Sequence, residues 1–370
     1  MRIRGMKLLA LCALIVGSCI PNATGAGCVP ITCGTSQVTL ANGKLLGIRA
    51  SGPSGTLRVV DLSTGATRWR LPSGVLGGNL LVHQDGTLLT WFNATTGTRV
   101  GDTVAQTRGT FTLTGVSQDG ARAVLARTQR RSTTFVIASR TKQRRVVLGS
   151  NNWGFDALSG SKLYLLQYHR SGYIVRLYDL ATNKLVAQPL KDASESALIS
   201  GVPWVRQSST DGRYLFTLYI TSGGNAMVHE LDVRAGTARC VDLPGGGDFN
   251  SATTYAFVTD PDGRTLWAVS PGYGKVVSID IAAARVRDSY GFFGWPADAP
   301  GASAVAMAPD GEHLAVSTAG KLWFVTLARR TVQMQSHVAL ALGFSPDDRR
   351  VWTLGQKSRI TPLAVPWLAN

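Results

Sequence analysis

The chain has 370 residues, of which 44% are apolar and only 16% charged, so it can bury a sizeable core and is not a disordered polymer. It carries 38 Lys and Arg against 22 Asp and Glu, a formal net charge of +16, which favours anionic partners such as wall polymers, lipid headgroups or nucleic acid. The length alone suggests two or three domains. All-β chains of this size also form single domains, so the number of domains has to be inferred from the internal repeats.

Residues 1–18 have the features of an export signal. A basic start, M-R-I-R-G-M-K, precedes an uninterrupted apolar stretch over 8–16 that is too short to cross a bilayer, which predicts a signal peptide. The following V-G-S-C ends at Cys19 and resembles a bacterial lipobox, in which the cysteine is lipidated and becomes the N-terminus. The resemblance implies a protein anchored to the cell membrane through Cys19. The alternative is ordinary cleavage near 23–26, which would release a soluble exported protein.

Residues 19–37 are predicted to be an N-terminal linker, and three cysteines remain beyond Cys19. Cys28 and Cys33 flank V-P-I-T and can form a local disulfide in an oxidising exterior. Cys240 lies in R-C-V-D-L, a predicted strand, where we expect a small buried apolar residue.

One pattern returns along the chain from about residue 38. Its first landmark is an Asp-Gly turn between two alternating strands, where Gly takes a positive φ and Asp caps the turn through its side chain. Clear copies begin at residues 117, 209, 260, 308 and 345, the last with Asp347-Asp348 in place of Asp-Gly, and weaker ones are Asn42-Gly43, Gly78-Asn79 and Ser159-Gly160. The first turns are spaced by 36 to 52 residues, a period that suits a four-stranded blade.

A second landmark follows most first turns and ends a third strand. It reads R-V-V-D-L-S-T-G up to Gly65, and related stretches end at Asn183, Gly236 and Ala284. The paired S-P-D-G and I-D-x-x-T-G patterns are similar to bacterial YVTN-type and WD40-like β-propeller repeats. The resemblance covers residues 38 to 366 and implies a fold but no ligand.

The predicted fold is therefore all-β, a single β-propeller of four-stranded blades over residues 38–370. The sequence contains eight copies of the first turn but only seven of the second, and the last copy has three predicted strands without a clear fourth. We expect seven blades in preference to eight, with the N- and C-terminal strands pairing in one shared blade so that no edge is exposed.

The candidate binding residues follow from this geometry, since second-to-third-strand turns and blade-to-blade connections share one face, called here the loop face. Aromatic and short polar groups there suit a sugar ring or a peptide. The predicted set is Trp153, Phe155, His169, Tyr173, Asp248, Asn250, Tyr273, Phe292 and Trp295. The alternative for Phe292 and Trp295 is that they fill the gap between blades. Four other tryptophans fall on strands and are predicted to be core: Trp204, Trp267, Trp323 and Trp352.

A basic run lies in one repeat, with no acidic residue between Asp119 and Asp156. Its members are Arg122, Arg127, Arg130, Arg131, Arg140, Lys142, Arg144 and Arg145. The fold places Arg130 and Arg131 at one face and the later members at the other, which predicts a basic outer edge of one blade. A membrane or wall polymer suits this edge better than nucleic acid; a solvated edge with no partner is the alternative.

No metalloprotease, nucleophile-elbow, Walker A or dinucleotide-binding motif occurs, and the five histidines are spread over the repeats. The first hypothesis is a non-catalytic scaffold for a protein, peptide or envelope glycan, without a cofactor or metal. The second is an extracytoplasmic propeller enzyme of lactonase or lyase type, for which His169 with Asp248 is the one combination worth testing. Electrostatic attachment to an anionic envelope polymer is the third.

Overall fold

The computed structural model describes residues 36–41, 43–49, 55–107, 109–193, 196–291, 303–318, 320–355 and 359–368. The predicted signal peptide, Cys19, and the proposed Cys28–Cys33 disulfide lie outside these residues, as do Phe292 and Trp295. The described chain forms eight antiparallel sheets, each built from consecutive strands.

The first four sheets each contain four strands. Blade 1 contains β1 (Ser36–Leu40), β2 (Leu45–Arg49), β3 (Leu57–Asp61) and β4 (Thr67–Leu71). Blade 2 contains β5 (Val75–Gly77), β6 (Leu80–Asp85), β7 (Leu88–Asn93) and β8 (Arg99–Val104). Blade 3 contains β9 (Thr112–Val116), β10 (Ala123–Gln129), β11 (Ser132–Ala138) and β12 (Gln143–Leu148). Blade 4 contains β13 (Trp153–Ser159), β14 (Lys162–His169), β15 (Gly172–Asp179) and β16 (Lys184–Leu185).

The other sheets follow the same order, and the last has three strands among the described residues. Blade 5 contains β17 (Val202–Ser208), β18 (Tyr214–Ile220), β19 (Ala226–Asp232) and β20 (Thr237–Asp242). Blade 6 contains β21 (Ala256–Thr259), β22 (Thr265–Ser270), β23 (Lys275–Asp280) and β24 (Arg285–Gly291). Blade 7 contains β25 (Ala304–Met307), β26 (His313–Thr318), β27 (Lys321–Thr326) and β28 (Thr331–Ser336). Blade 8 contains β29 (Ala341–Phe344), β30 (Arg350–Leu354) and β31 (Ile360–Ala364). A helix α1 (Phe249–Ala252) precedes blade 6, and a 3₁₀ helix (Pro366–Leu368) follows β31.

The Asp-Gly turns form as predicted. In blade 5, Gly212 has a φ of +66° and donates its backbone N–H to the Ser209 carbonyl at 2.9 Å. The Asp211 carboxylate accepts the Arg213 backbone N–H at 3.0 Å. Gly adopts the left-handed conformation without strain, and the aspartate accepts a backbone N–H of the turn. This dipeptide is therefore well suited to the turn that follows the first strand of a blade.

The core lies between neighbouring blades, because alternate side chains of a strand point to opposite faces of its sheet. In β27, Leu322 and Phe324 pack with Phe344 of blade 8, whereas Val325 packs with Val276 of blade 6. Each blade is thus buried on both faces, which stabilises the ring by roughly 2 kcal/mol for each fully buried large apolar side chain.

The tryptophans predicted to be core separate into two kinds. Trp323 and Trp352 are buried. Trp204 and Trp267 are half-buried and pack against the cores of blades 6 and 7.

The expectation of seven blades with a shared terminal blade was wrong, since the ring has eight blades. The N-terminal strand β1 pairs with β2 as the inner strand of its own blade and does not complete the sheet of β29 to β31. The Gln37 side chain donates to the Val305 carbonyl at 2.7 Å and accepts the Leu342 N–H at 2.7 Å. These bonds keep β1 at the centre of the ring, beside the first strands of blades 7 and 8.

The outer part of the closure depends on Trp352 of blade 8. Its indole N–H donates to the Leu62 carbonyl at 2.5 Å, and its ring covers Gly65, where a Cβ would lie 2.2 Å from the ring. Side-chain packing therefore joins blades 8 and 1 without a strand shared between them.

Candidate binding site on the loop face

A pocket of about 270 Å³ opens on the loop face between blades 4 and 5. Its lining includes the half-buried Cys240, the exposed Asn225 and Asp242, the buried Tyr219, and Ile199. Hydroxyl, amide, carboxylate and thiol groups thus stand beside apolar surface, the mixture typical of a site for a small polar ligand.

The pocket exists because blade 4 has a very short fourth strand. β16 has only two residues, so the connection after it runs back along β15. It forms isolated bridges there between Leu190 and Val175 and between Ile199 and Tyr173. The Asp192 carboxylate, further along this connection, accepts the backbone N–H of Cys240 at 3.2 Å. The connection thereby reaches blade 5 and forms one wall of the pocket.

The opposite wall is the turn between β18 and β19, which runs from Thr221 to Asn225. Its Gly224 has a φ of +78°, and the Thr221 N–H donates to the Asn225 carbonyl at 2.9 Å. The Tyr273 hydroxyl bonds to the carbonyls of Gly224 at 2.9 Å and Asp248 at 2.7 Å. This wall is therefore fixed by a residue from blade 6.

A buried polar cluster lies beside the pocket between the two blades. Arg206 of β17 donates to the Asp156 carbonyl at 2.9 Å and forms an ion pair with its carboxylate. The side chains of Arg206 and Asp156 are only 14% and 7% exposed, so removing either partner would leave a poorly solvated polar group.

His229 is the third member of this cluster, directly opposite Cys240 in the sheet and 3% exposed. Burial lowers its pKa to about 4; the nearby Asp156 carboxylate opposes this shift, and Arg206 adds a smaller contribution in the same direction as burial. The imidazole is therefore neutral at pH 7. Its Nε2 and the hydroxyl of Tyr173 have no hydrogen-bond partner within the described part of the chain. These unsatisfied groups make the wall between the blades polar.

The predicted residues of blade 4 are mostly packing residues. Trp153 and Tyr173 are 8% and 4% exposed. The Phe155 ring lies so close to Gly115 of blade 3 that a Cβ there would be 1.9 Å away. His169 is exposed at the tip of the turn between β14 and β15.

The predicted residues near blade 6 form a second group. Asp248 caps α1, and its carboxylate accepts from the backbone N–H of Asn250 at 3.2 Å and Ser251 at 3.0 Å. Asn250 is exposed, and Tyr273 fixes the turn described above. No hydrogen bond or ion pair among the described residues joins Asp248 to His169.

The two predicted groups flank the pocket without forming it. Tyr173 of the first group lies against Tyr219, with ring centroids 5.3 Å apart, and Tyr273 of the second holds the far wall. The sequence did not single out Tyr219, and it predicted that Cys240 is core. Cys240 is half-buried and lines the pocket, because the segment beside it crosses from blade 4 and leaves a gap.

The described residues contain neither a metal-binding cluster nor a membrane-spanning helix. No group of three or more His, Cys, Asp and Glu side chains there is placed to bind a metal ion. No helix in the described ranges combines the length and apolar character needed to cross a bilayer.

No protein-family model matches the chain, and no curated protein matches it. Solved structures do resemble it. Apo AztD from Citrobacter koseri is 13% identical, with 82% of this chain and 86% of that chain covered and a TM-score of 0.52. The Dos1 propeller is 11% identical, with 90% and 94% covered and a TM-score of 0.50. The fold is a WD40-like β-propeller. At such identities the likeness concerns the fold alone, since propellers carry many functions.

Proposed function

We propose that this protein is an extracytoplasmic β-propeller, anchored to the cell membrane through Cys19, that acts as a non-catalytic scaffold for a peptide or an envelope glycan. The pocket between blades 4 and 5 carries the proposal, since it opens on the loop face and combines Tyr219, Asn225 and Asp242 with apolar surface. Its volume suits one sugar ring or one amino-acid side chain. The export signal and the lipobox-like V-G-S-C support the location.

The binding test uses muramidase-digested peptidoglycan, separated into glycan and peptide pools, and purified protein in a calorimetric titration. We expect saturable binding of one pool. Asn225→Ala and Asp242→Asn should each weaken it roughly tenfold, the worth of one lost hydrogen bond to a polar ligand. Asn79→Ala, at an exposed asparagine on the opposite face, is the matched control. Absence of binding to either pool, or equal binding by all variants, would contradict the proposed site.

The anchoring test is separate. Cells that express the full chain are labelled with an alkyne fatty acid, and we expect label on the wild-type protein and none on Cys19→Ser. An N-terminus within residues 23–26 in the purified protein would contradict lipidation and support release.

A further inference from the structure

Blade 3 holds a share of the protein's charge out of proportion to its size. Residues 112–148 contain eight Lys and Arg and one Asp, a net +7 of the chain's +16, in a tenth of its length. The electrostatic potential of the ring is therefore strongly one-sided.

Six of these cations are exposed, four of them on the outer strand β12 or the turn before it and two in the turn between β10 and β11. Their positions run from the turn between β10 and β11, along β12, to the turn between β11 and β12: Arg130, Arg131, Arg145, Arg144, Lys142 and Arg140. We call this set the basic ridge. In the register of β11 and β12, Arg145 lies opposite Val136, which is five residues and about 17 Å from Arg131. The basic ridge therefore has two parts, a pair of arginines at the loop face and four cations along β12 and the turn before it.

The basic ridge is not neutralised by the protein. Among the described residues, no carboxylate lies within 4.0 Å of its six cations. The contacts that two of them make are neutral: Arg144 donates to the Asn183 side chain at 3.2 Å, and Arg140 to the Val100 carbonyl at 3.5 Å. In blade 2, the nearby Asp102 is paired with Arg99 at 2.9 Å.

Exposed apolar side chains accompany these charges. Val147 of β12 is 55% exposed, and Val104 and Val100 of β8 are 58% and 38% exposed. Gln143 donates to the Val104 carbonyl at 2.6 Å, so the two outer strands adjoin at this point. Half of the six large exposed apolar side chains of the described residues thus lie beside the basic ridge.

Protection of an open strand edge does not explain this arrangement. Edge strands do use cations to prevent association with other strands. However, β28 and β31 form the outer edges of blades 7 and 8 and contain no charged residue. The fold therefore does not require a basic outer edge.

We infer that the basic ridge is a docking surface for an anionic lipid bilayer, with its cations on headgroup phosphates and its valines at the headgroup boundary. A lipid surface fits better than a nucleic acid or another polyanion, because four of the six cations lie on the outer strand of a blade or the turn before it, at the convex rim of the ring, where an extended flat surface can contact them. The ring would then stand on its edge. The pocket, one and a half blades further round, would remain open beside the membrane.

This docking surface is separate from the proposed function, and the test uses the mature chain from residue 20, which has neither the signal peptide nor Cys19, so that no lipid and no apolar leader contributes to vesicle binding. Partitioning is measured by sedimentation with vesicles of phosphatidylcholine, with and without phosphatidylglycerol. We expect binding only to the anionic vesicles, and weaker binding as salt rises.

The variant R131E/K142E/R145E should bind the anionic vesicles at least about 100-fold more weakly, since each cation near such a surface contributes about fivefold. The matched control is R285E/R329E/R349E, with exposed cations of blades 6, 7 and 8 and the same change in net charge. It should lose only a few-fold in affinity, on the order of one cation's effect.

Three outcomes would overturn the inference: equal losses in both triple variants, equal binding to neutral vesicles, or binding to duplex DNA or polyphosphate without binding to vesicles. The first would show an effect of net charge alone, and the last would assign the ridge to a polymer. Unfolding midpoints of both variants close to that of the parent would show that the fold is intact.

Discussion

Replacing His229 by glutamine tests the buried polar cluster between blades 4 and 5. The imidazole is neutral in the folded protein because burial lowers its pKa from 6.5 to about 4. In the unfolded chain it regains an ordinary pKa and binds a proton as the pH falls below 6.5. The unfolded state then holds more protons than the folded state, so this histidine reduces stability increasingly between pH 6.5 and about 4.

The size of the effect follows from the shift. Each pKa unit corresponds to about 1.4 kcal/mol, and at pH 5 the difference between folded and unfolded His229 amounts to about 2 kcal/mol. At pH 7.5 it is close to zero. Other groups also titrate over this range, so the informative quantity is the difference between wild type and His229→Gln at each pH.

Urea unfolding, followed by tryptophan fluorescence, gives the free energy of unfolding of both proteins at about pH 7.5, 6.5 and 5.0, a series that runs from above the unfolded-state pKa to a point between the two pKa values. We expect the glutamine variant to gain about 2 kcal/mol relative to wild type between pH 7.5 and 5.0, whatever its offset at neutral pH. His169→Gln, at an exposed histidine, should show no such gain. Parallel curves for wild type and His229→Gln would refute a buried neutral imidazole.

Two other substitutions probe the contacts between blades in the same urea assay. Asp156→Asn removes the counter-charge of the largely buried Arg206 and should lower the free energy of unfolding by about 3 kcal/mol; a loss below about 1 kcal/mol would show that Arg206 is solvated. Gly65→Ala adds a Cβ at a φ of +71° and 2.2 Å from the Trp352 ring, and we expect a loss of about 3 kcal/mol or more. Gly160→Ala, at a φ of +52° in open space, should cost only about 1 kcal/mol, and equal losses at the two glycines would contradict closure by Trp352.

The repeat and the fold class could be predicted from the sequence because their signals are local. An Asp-Gly turn such as Asp211-Gly212 is specified by the φ that Gly allows and by bonds spanning only a few residues. The same holds for the second landmark, where Gly65 has a φ of +71° and donates to the Asp61 carbonyl at 2.7 Å. The loop face was also predictable, since strand order fixes which turns share a side.

The position of the charges was partly predictable. The basic run is visible in the sequence, and the structure confirms that Arg130 and Arg131 lie at one face and Arg140 and Lys142 at the other. That no carboxylate from blade 2 or blade 4 neutralises them is a tertiary property, because those partners are distant in sequence.

The strands, the turns and the four-stranded unit follow from short-range patterns that can be read along the chain. The number of blades and the pocket depend on contacts between residues far apart in the chain. Closure depends on Gln37 bonding to Val305 and Leu342, 268 and 305 residues away, and the pocket depends on a connection from blade 4 that reaches Cys240. Such contacts form only when the blades pack into a ring, after the entropic cost of bringing distant residues together has been met. They therefore produce no periodic pattern in the sequence.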